Sequence, residues 1–125
     1  MDKQIIKNII IEKQIAIPNY KLVHRDFLFG DKSNYILVGI RRAGKSYLLY
    51  QDIQTRLNKG EQSAHDILYI NFEDERLSSL KAEELGIILD SYMELYPGRQ
   101  PFVYLDEIQN IEGWEKFARR LADSQ

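Results

Sequence analysis

Gly39-Ile-Arg-Arg-Ala-Gly-Lys-Ser46 gathers two arginines and a lysine directly after the apolar run Tyr35-Ile-Leu-Val38. Like charges this close repel unless something strongly negative lies among them. The stretch satisfies G-x-x-x-x-G-K-[ST], a pattern that a chain of this length meets by chance roughly once in a few hundred. The chemistry that fits is capture of a polyphosphate. Gly39 and Gly44 accept backbone angles that a Cβ resists, so consecutive N–H groups from Arg41 to Ser46 can turn inward as an anion nest. A helix starting near Lys45 adds unpaired N–H groups and a positive dipole end. Lys45 can reach β- and γ-phosphates, and the Ser46 hydroxyl can ligate Mg²⁺. Gly39, Ile40, Arg41, Arg42, Ala43, Gly44, Lys45, Ser46 and Tyr47 form the candidate nucleotide-binding set. The side chains of Arg41 and Arg42 either serve the phosphates or point to water.

A second group with chemistry follows later. Phe102-Val-Tyr-Leu-Asp-Glu107 is an apolar run ending in two acids. Ligands of open parallel sheets sit beyond the carboxyl ends of the strands, so Asp106 and Ser46 would meet there and hold Mg²⁺ together with waters. Glu107 would orient or deprotonate an attacking water, which makes Glu107 and Lys45 the candidate catalytic pair. Gln109 is a candidate contact to the γ-phosphate. Asn71, Glu73 and Asp74 also end an apolar run; they either approach the nucleotide or form a solvated turn with an Asp74–Arg76 pair.

The elements that must position these residues show in the periodicity. Isoleucines at helical spacing over 3–16 predict a helix, weakened by its β-branched residues and broken at Pro18-Asn19. Short apolar runs at 35–38, 66–72 and 102–105 predict buried strands. Leu49, Ile53 and Leu57 predict a helix after the glycine loop, stopped at Gly60. Leu85, Ile88, Leu89, Tyr92 and Leu95 predict another, with Ser78 or Ser79 as its cap. Trp114, Phe117, Ala118 and Leu121 predict a last one. Strands alternating with helices indicate an α/β fold with a parallel sheet.

Bulk properties narrow the classes. The chain has 125 residues, 44% apolar and 29% charged, which is an ordinary globular balance. A net charge of −2 argues against a generally basic nucleic-acid binder. The absence of cysteine rules out disulfides and thiol chemistry and fits a cytoplasmic location. Nothing at the start resembles a secretory signal, and no run is long enough to span a membrane. His24 and His65 lack ligand-like company. The eight tyrosines mostly occupy apolar-periodic positions and read as core. Lys116, Arg119 and Arg120 form a basic face on the last helix, either solvated or serving DNA binding or a trans-acting arginine role.

GIRRAGKS, INFEDERL and VYLDEIQNIEGWEKF, in this order and spacing, resemble the N-terminal part of prokaryotic AAA-type P-loop ATPases, over roughly residues 20–123. The resemblance implies a three-layer α/β/α P-loop NTPase fold that binds ATP and Mg²⁺. Gly39 to Ser46 would be the phosphate loop, Asp106 the acid behind Mg²⁺ and Glu107 the catalytic glutamate. Members of that family continue into a strand with a polar γ-phosphate sensor and a C-terminal effector domain. Residues 1–19 therefore read as a lead-in helix, and 20–125 as the N-terminal part of an ATPase domain, truncated before the sensor strand. An exposed sheet edge would then favour a homo-oligomer. The leading expectation is an ATPase that drives a conformational change. The alternatives are a nucleotide-binding switch with little hydrolysis and a DNA-associated ATPase.

Overall fold

Residues Ile67–Asn71 (β1) and Phe102–Asp106 (β2), rich in β-branched and aromatic side chains, form the two strands of a parallel pair. The register runs from Ile67 opposite Phe102 to Asn71 opposite Asp106, so the carboxyl ends finish level. These positions come from a computed structural model that describes residues 1–22, 45–60 and 62–123. The expected strand at 35–38, the loop at 39–44 and His24 lie outside the described residues.

Side chains alternate across the pair and build two cores. Leu68, Ile70, Val103 and Leu105 pack with Ile6, Ile9 and Ile10 of α1 (Lys3–Ala16), Ile88 and Tyr92 of α3 (Gly86–Leu95), and Phe117 and Leu121 of α4 (Trp114–Asp123). Ile67, Tyr69, Phe102 and Tyr104 pack on the other face, against Ile17 and against Leu49 and Ile53 of α2 (Lys45–Asn58). Covering both faces is what continuous apolar strands require.

Helix α1 forms despite its isoleucines because burial outweighs their weak helix propensity. The Asp2 carboxylate caps it, accepting from the Gln4 N–H at 2.9 Å. Its last turn does a second job. Gln14, only 5% exposed, donates from Nε2 to the Ile67 carbonyl at 2.9 Å and accepts from the Tyr96 hydroxyl at 2.7 Å. The outer edge of β1 is thus engaged by the same chain.

Helix α2 starts at Lys45, as the glycine-loop pattern predicts, and Gly60 follows its end at φ 76°. A polar chain ties it to β2. Asp52 accepts from the Tyr104 hydroxyl at 2.5 Å and from Arg56 Nε at 3.0 Å, and the Arg56 guanidinium lies 4.7 Å from the Phe102 ring centroid.

The expected serine cap of α3 is not made. Leu85 occupies the cap position with no side-chain bond. The preceding short turn is closed by Glu84, which accepts from the Lys81 N–H at 3.2 Å. Ser78 and Ser79 belong to an earlier turn that follows Leu77, too far upstream to reach the exposed amides of α3.

Gln14→Leu keeps the side-chain volume but leaves the Ile67 carbonyl and the Tyr96 hydroxyl without this partner. It is expected to lower unfolding free energy by about 2 kcal/mol in urea titrations. A loss below about 0.5 kcal/mol, within the range of ordinary surface substitutions, would contradict the edge role.

Candidate functional site

Parity along β2 decides the site. Phe102, Tyr104 and Asp106 share the face that packs on α2, so the strand's terminal acid points toward the start of that helix. The Ser46 hydroxyl, on the first turn of α2, donates to Asp106 Oδ2 at 2.5 Å. Sixty positions separate the two in sequence, and they meet as expected from the parallel-sheet rule. Asp106 is fully buried, which an acid at a solvated strand end would not be.

Glu107 is 8% exposed and has φ 60° and ψ 30°; among the described residues no other non-glycine has positive φ. A continued strand would turn residue 107 toward the apolar core of α1, α3 and α4. The left-handed turn breaks that alternation, at a conformational cost of about 1 kcal/mol. The Glu107 carboxylate accepts from Gln109 Nε2 at 2.5 Å. Gln109 Oε1 is buried without a hydrogen-bond partner. Gln109, the candidate γ-phosphate contact, thus lies against the Glu107 carboxylate.

One participant escaped the sequence reading. The hydroxyl of Tyr69, taken as simple core, donates to Asp106 Oδ2 at 2.5 Å. Burial, and then this bond to the carboxylate, push the Tyr69 phenol far above its ordinary pKa, so it stays protonated as a donor. Its ring packs on Tyr50 at 5.4 Å, Tyr50 packs on Tyr20 at 4.9 Å, and Lys13 Nζ lies 5.8 Å from the Tyr69 centroid. The usable signal was a tyrosine in a fully buried strand, whose hydroxyl must find a partner.

The other candidates distribute as follows. Lys45 opens α2, while its side chain and residues Gly39 to Gly44 lie outside the described residues. Tyr47 is 58% exposed. Asn71 ends β1 opposite Asp106, and its side chain accepts from the Glu73 N–H at 2.9 Å. Asp74 pairs with Arg76 at 2.8 Å, and Arg76 also grips Glu12 of α1 at 2.8 Å. The Arg76 hydrogen bond holds the Asp74 carboxyl below its ordinary pKa. The turn reading of Asn71-Phe-Glu-Asp-Glu-Arg76 thus describes most of what is seen. The bases Lys116, Arg119 and Arg120 line a cleft with Glu83, Glu112 and Glu115, so that surface is mixed in charge rather than basic.

Ser46 Oγ keeps lone pairs when its proton goes to Asp106, and together they offer the hard oxygens that a small divalent cation prefers. Among the described residues no three His, Asp or Glu side chains converge as a metal site. A cation at this pair would take further ligands from phosphate and water.

A strand-end acid meeting a hydroxyl at the start of a Gly-Lys-Ser helix, across a parallel α/β sheet, defines a nucleotide-binding class of protein. The AAA domain model matches residues 31–125, and the chain belongs to this family of P-loop NTPases. Membership implies a nucleotide-binding, ATPase-like module. The chain is 35% identical over 127 residues to the uncharacterized protein MJ1544 of Methanocaldococcus jannaschii, covering 99% of this chain and 27% of that protein. It is 35% identical over 89 residues to an uncharacterized protein of Haemophilus influenzae, covering 69% of this chain and 21% of that one. The chain thus spans about a quarter of the length of these relatives. No solved structure matches it. No helix among the described residues is long and apolar enough to cross a membrane.

Glu107→Gly should exceed Glu107→Ala in unfolding free energy by about 1 kcal/mol in urea titrations, because both lose the Gln109 bond and only glycine adopts the positive φ without strain. Equal stability of the two variants would show that the turn is not strained.

Proposed function

We propose that this chain forms the Mg²⁺-ATP site of an AAA-type ATPase, which hydrolyses ATP to drive a conformational change in an attached or partner domain. One observation carries the reading: the Ser46 hydroxyl and the buried Asp106 carboxylate in direct hydrogen bond, with Glu107 held beside them in a left-handed turn.

The amides from Gly39 to Ser46 and the start of α2 bind the phosphates, and Lys45 neutralises the β- and γ-phosphate oxygens. Mg²⁺, when bound, would supply positive charge that offsets the charge developing on the phosphate oxygens. Ser46 would ligate it, and Asp106 would orient Ser46 and the metal's waters. Glu107 orients the attacking water and takes its proton. The water oxygen bonds to the γ-phosphorus as the bond to the ADP oxygen breaks, giving ADP and phosphate. Tyr47, Arg41, Arg42 and Ala43 complete the proposed nucleotide contacts. A C-terminal effector domain is the proposed recipient of the motion.

A switch that hydrolyses slowly is favoured by one observation, the Gln109 amide already bound to the Glu107 carboxylate. Such a contact takes up part of the carboxylate's acceptor capacity and weakens its basicity toward an attacking water. Steady-state phosphate release from the full chain separates the two, with a background rate favouring the switch.

Lys45→Ala is expected to abolish ATP binding in calorimetry. Glu107→Gln should retain binding yet lower turnover by about 100-fold or more. Unchanged ATP affinity in Lys45→Ala would remove the basis of the proposal.

A further inference from the structure

Asp106 Oδ2 receives two hydroxyl donors from different elements, Ser46 of α2 and Tyr69 of β1. Only the first belongs to the glycine-loop motif. We propose that Tyr69 is a positioning residue of the metal–nucleotide site, acting through Asp106. The inference rests on the ATPase reading.

Two donors on one oxygen fix the rotation of the carboxylate. With Asp106 fixed, the Ser46 proton has a set direction and its lone pairs are presented in one orientation. Tyr69 is suited to this by confinement. It is fully buried, its ring meets Tyr50 at 5.4 Å, and its hydroxyl lies 3.4 Å from that of Tyr50. Lys13 stands 5.8 Å from its ring centroid and belongs to α1, which precedes the residues matched by the family model. The phenol has little room to swing away from Asp106, and the segment before the matched domain helps to confine it.

The fold supplies an internal control. Tyr104 lies directly opposite Tyr69 in the sheet register, is equally buried, and also donates to a carboxylate at 2.5 Å. That carboxylate is Asp52, which ties α2 to β2, not Asp106. Removing either hydroxyl costs a tyrosine–carboxylate hydrogen bond, buried for Tyr69 and partly buried for Tyr104, and only Tyr69 touches the proposed metal acid.

The test measures ATP affinity of the full chain with excess Mg²⁺ and with EDTA, for the wild type, Tyr69→Phe and Tyr104→Phe. Loss of an outer-shell partner costs about 10- to 100-fold in metal affinity. Tyr69→Phe should therefore lose about tenfold or more of the Mg²⁺-dependent gain in ATP affinity, with metal-free binding close to wild type. Tyr104→Phe should keep the gain. In an Asp106→Asn background, Tyr69→Phe should have no further effect on it, as expected for a residue acting through that carboxylate. A wild-type Mg²⁺ gain in Tyr69→Phe, an equal loss in Tyr104→Phe, or equal losses with and without Mg²⁺ would overturn the inference. A wild type that binds neither form of ATP would instead overturn the nucleotide reading, and this inference with it.

Discussion

A carboxylate with no exposed surface ends β2, and the rest of the described structure is arranged around it. Taking such a charge out of water costs several kcal/mol unless donors replace the lost hydration. Asp106 meets that requirement with hydroxyls from two elements, one at the start of α2 and one in the middle of β1. Each donor constrains an element. Ser46 fixes the start of α2 against the sheet, where the helix dipole and free amides are most useful to an anion. Tyr69 fixes the sheet's own contribution. The bonds that satisfy a buried acid are also, on the proposed reading, the ones that would aim a hard ligand pair at one place.

The surrounding packing keeps that arrangement from drifting. Leu49 and Ile53 press α2 onto Ile67, Tyr69, Phe102 and Tyr104, and the Tyr104–Asp52–Arg56 chain adds directional bonds further along the helix. Helix α1 closes the other side. Gln14 engages the edge of β1, and Arg76 joins Glu12 to the turn that leaves the strand. A helix that precedes the residues matched by the family model therefore packs in the same core as α3 and α4. Glu107 is the exception to this economy. It carries strain where the strand must stop alternating, as residues near reacting groups often do.

Much of this was legible in the residues. Alternation in Phe102-Val-Tyr-Leu-Asp106 and the start of a helix at Lys45 were enough to bring Ser46 and Asp106 together, because period and parallel topology leave few alternatives. The helix at Lys3–Ala16 was legible from spacing despite poor propensity. What escaped depended on distances between elements. Periodicity sees Tyr69 only as apolar, although its hydroxyl is the part that matters here. The register that sets it beside Tyr104, with its hydroxyl on Asp106, is a tertiary fact. The edge role of Gln14 was hidden for the same reason, since a polar residue on a helix carries no mark of its partner strand. The cap of α3 was misassigned because serines near a helix start are common, while here an intervening turn closed by Glu84 does that work.

The central claim is that Ser46 and Asp106 form the metal side of a nucleotide site at the head of α2. A crystal structure of the full chain with magnesium and a non-hydrolysable ATP analogue tests it most directly. The expected result is a magnesium ion about 2.1 Å from Ser46 Oγ, bridged to Asp106 by water, with the phosphates over the helix start. A nucleotide seated in another cleft, with the Ser46–Asp106 pair left untouched, would contradict it.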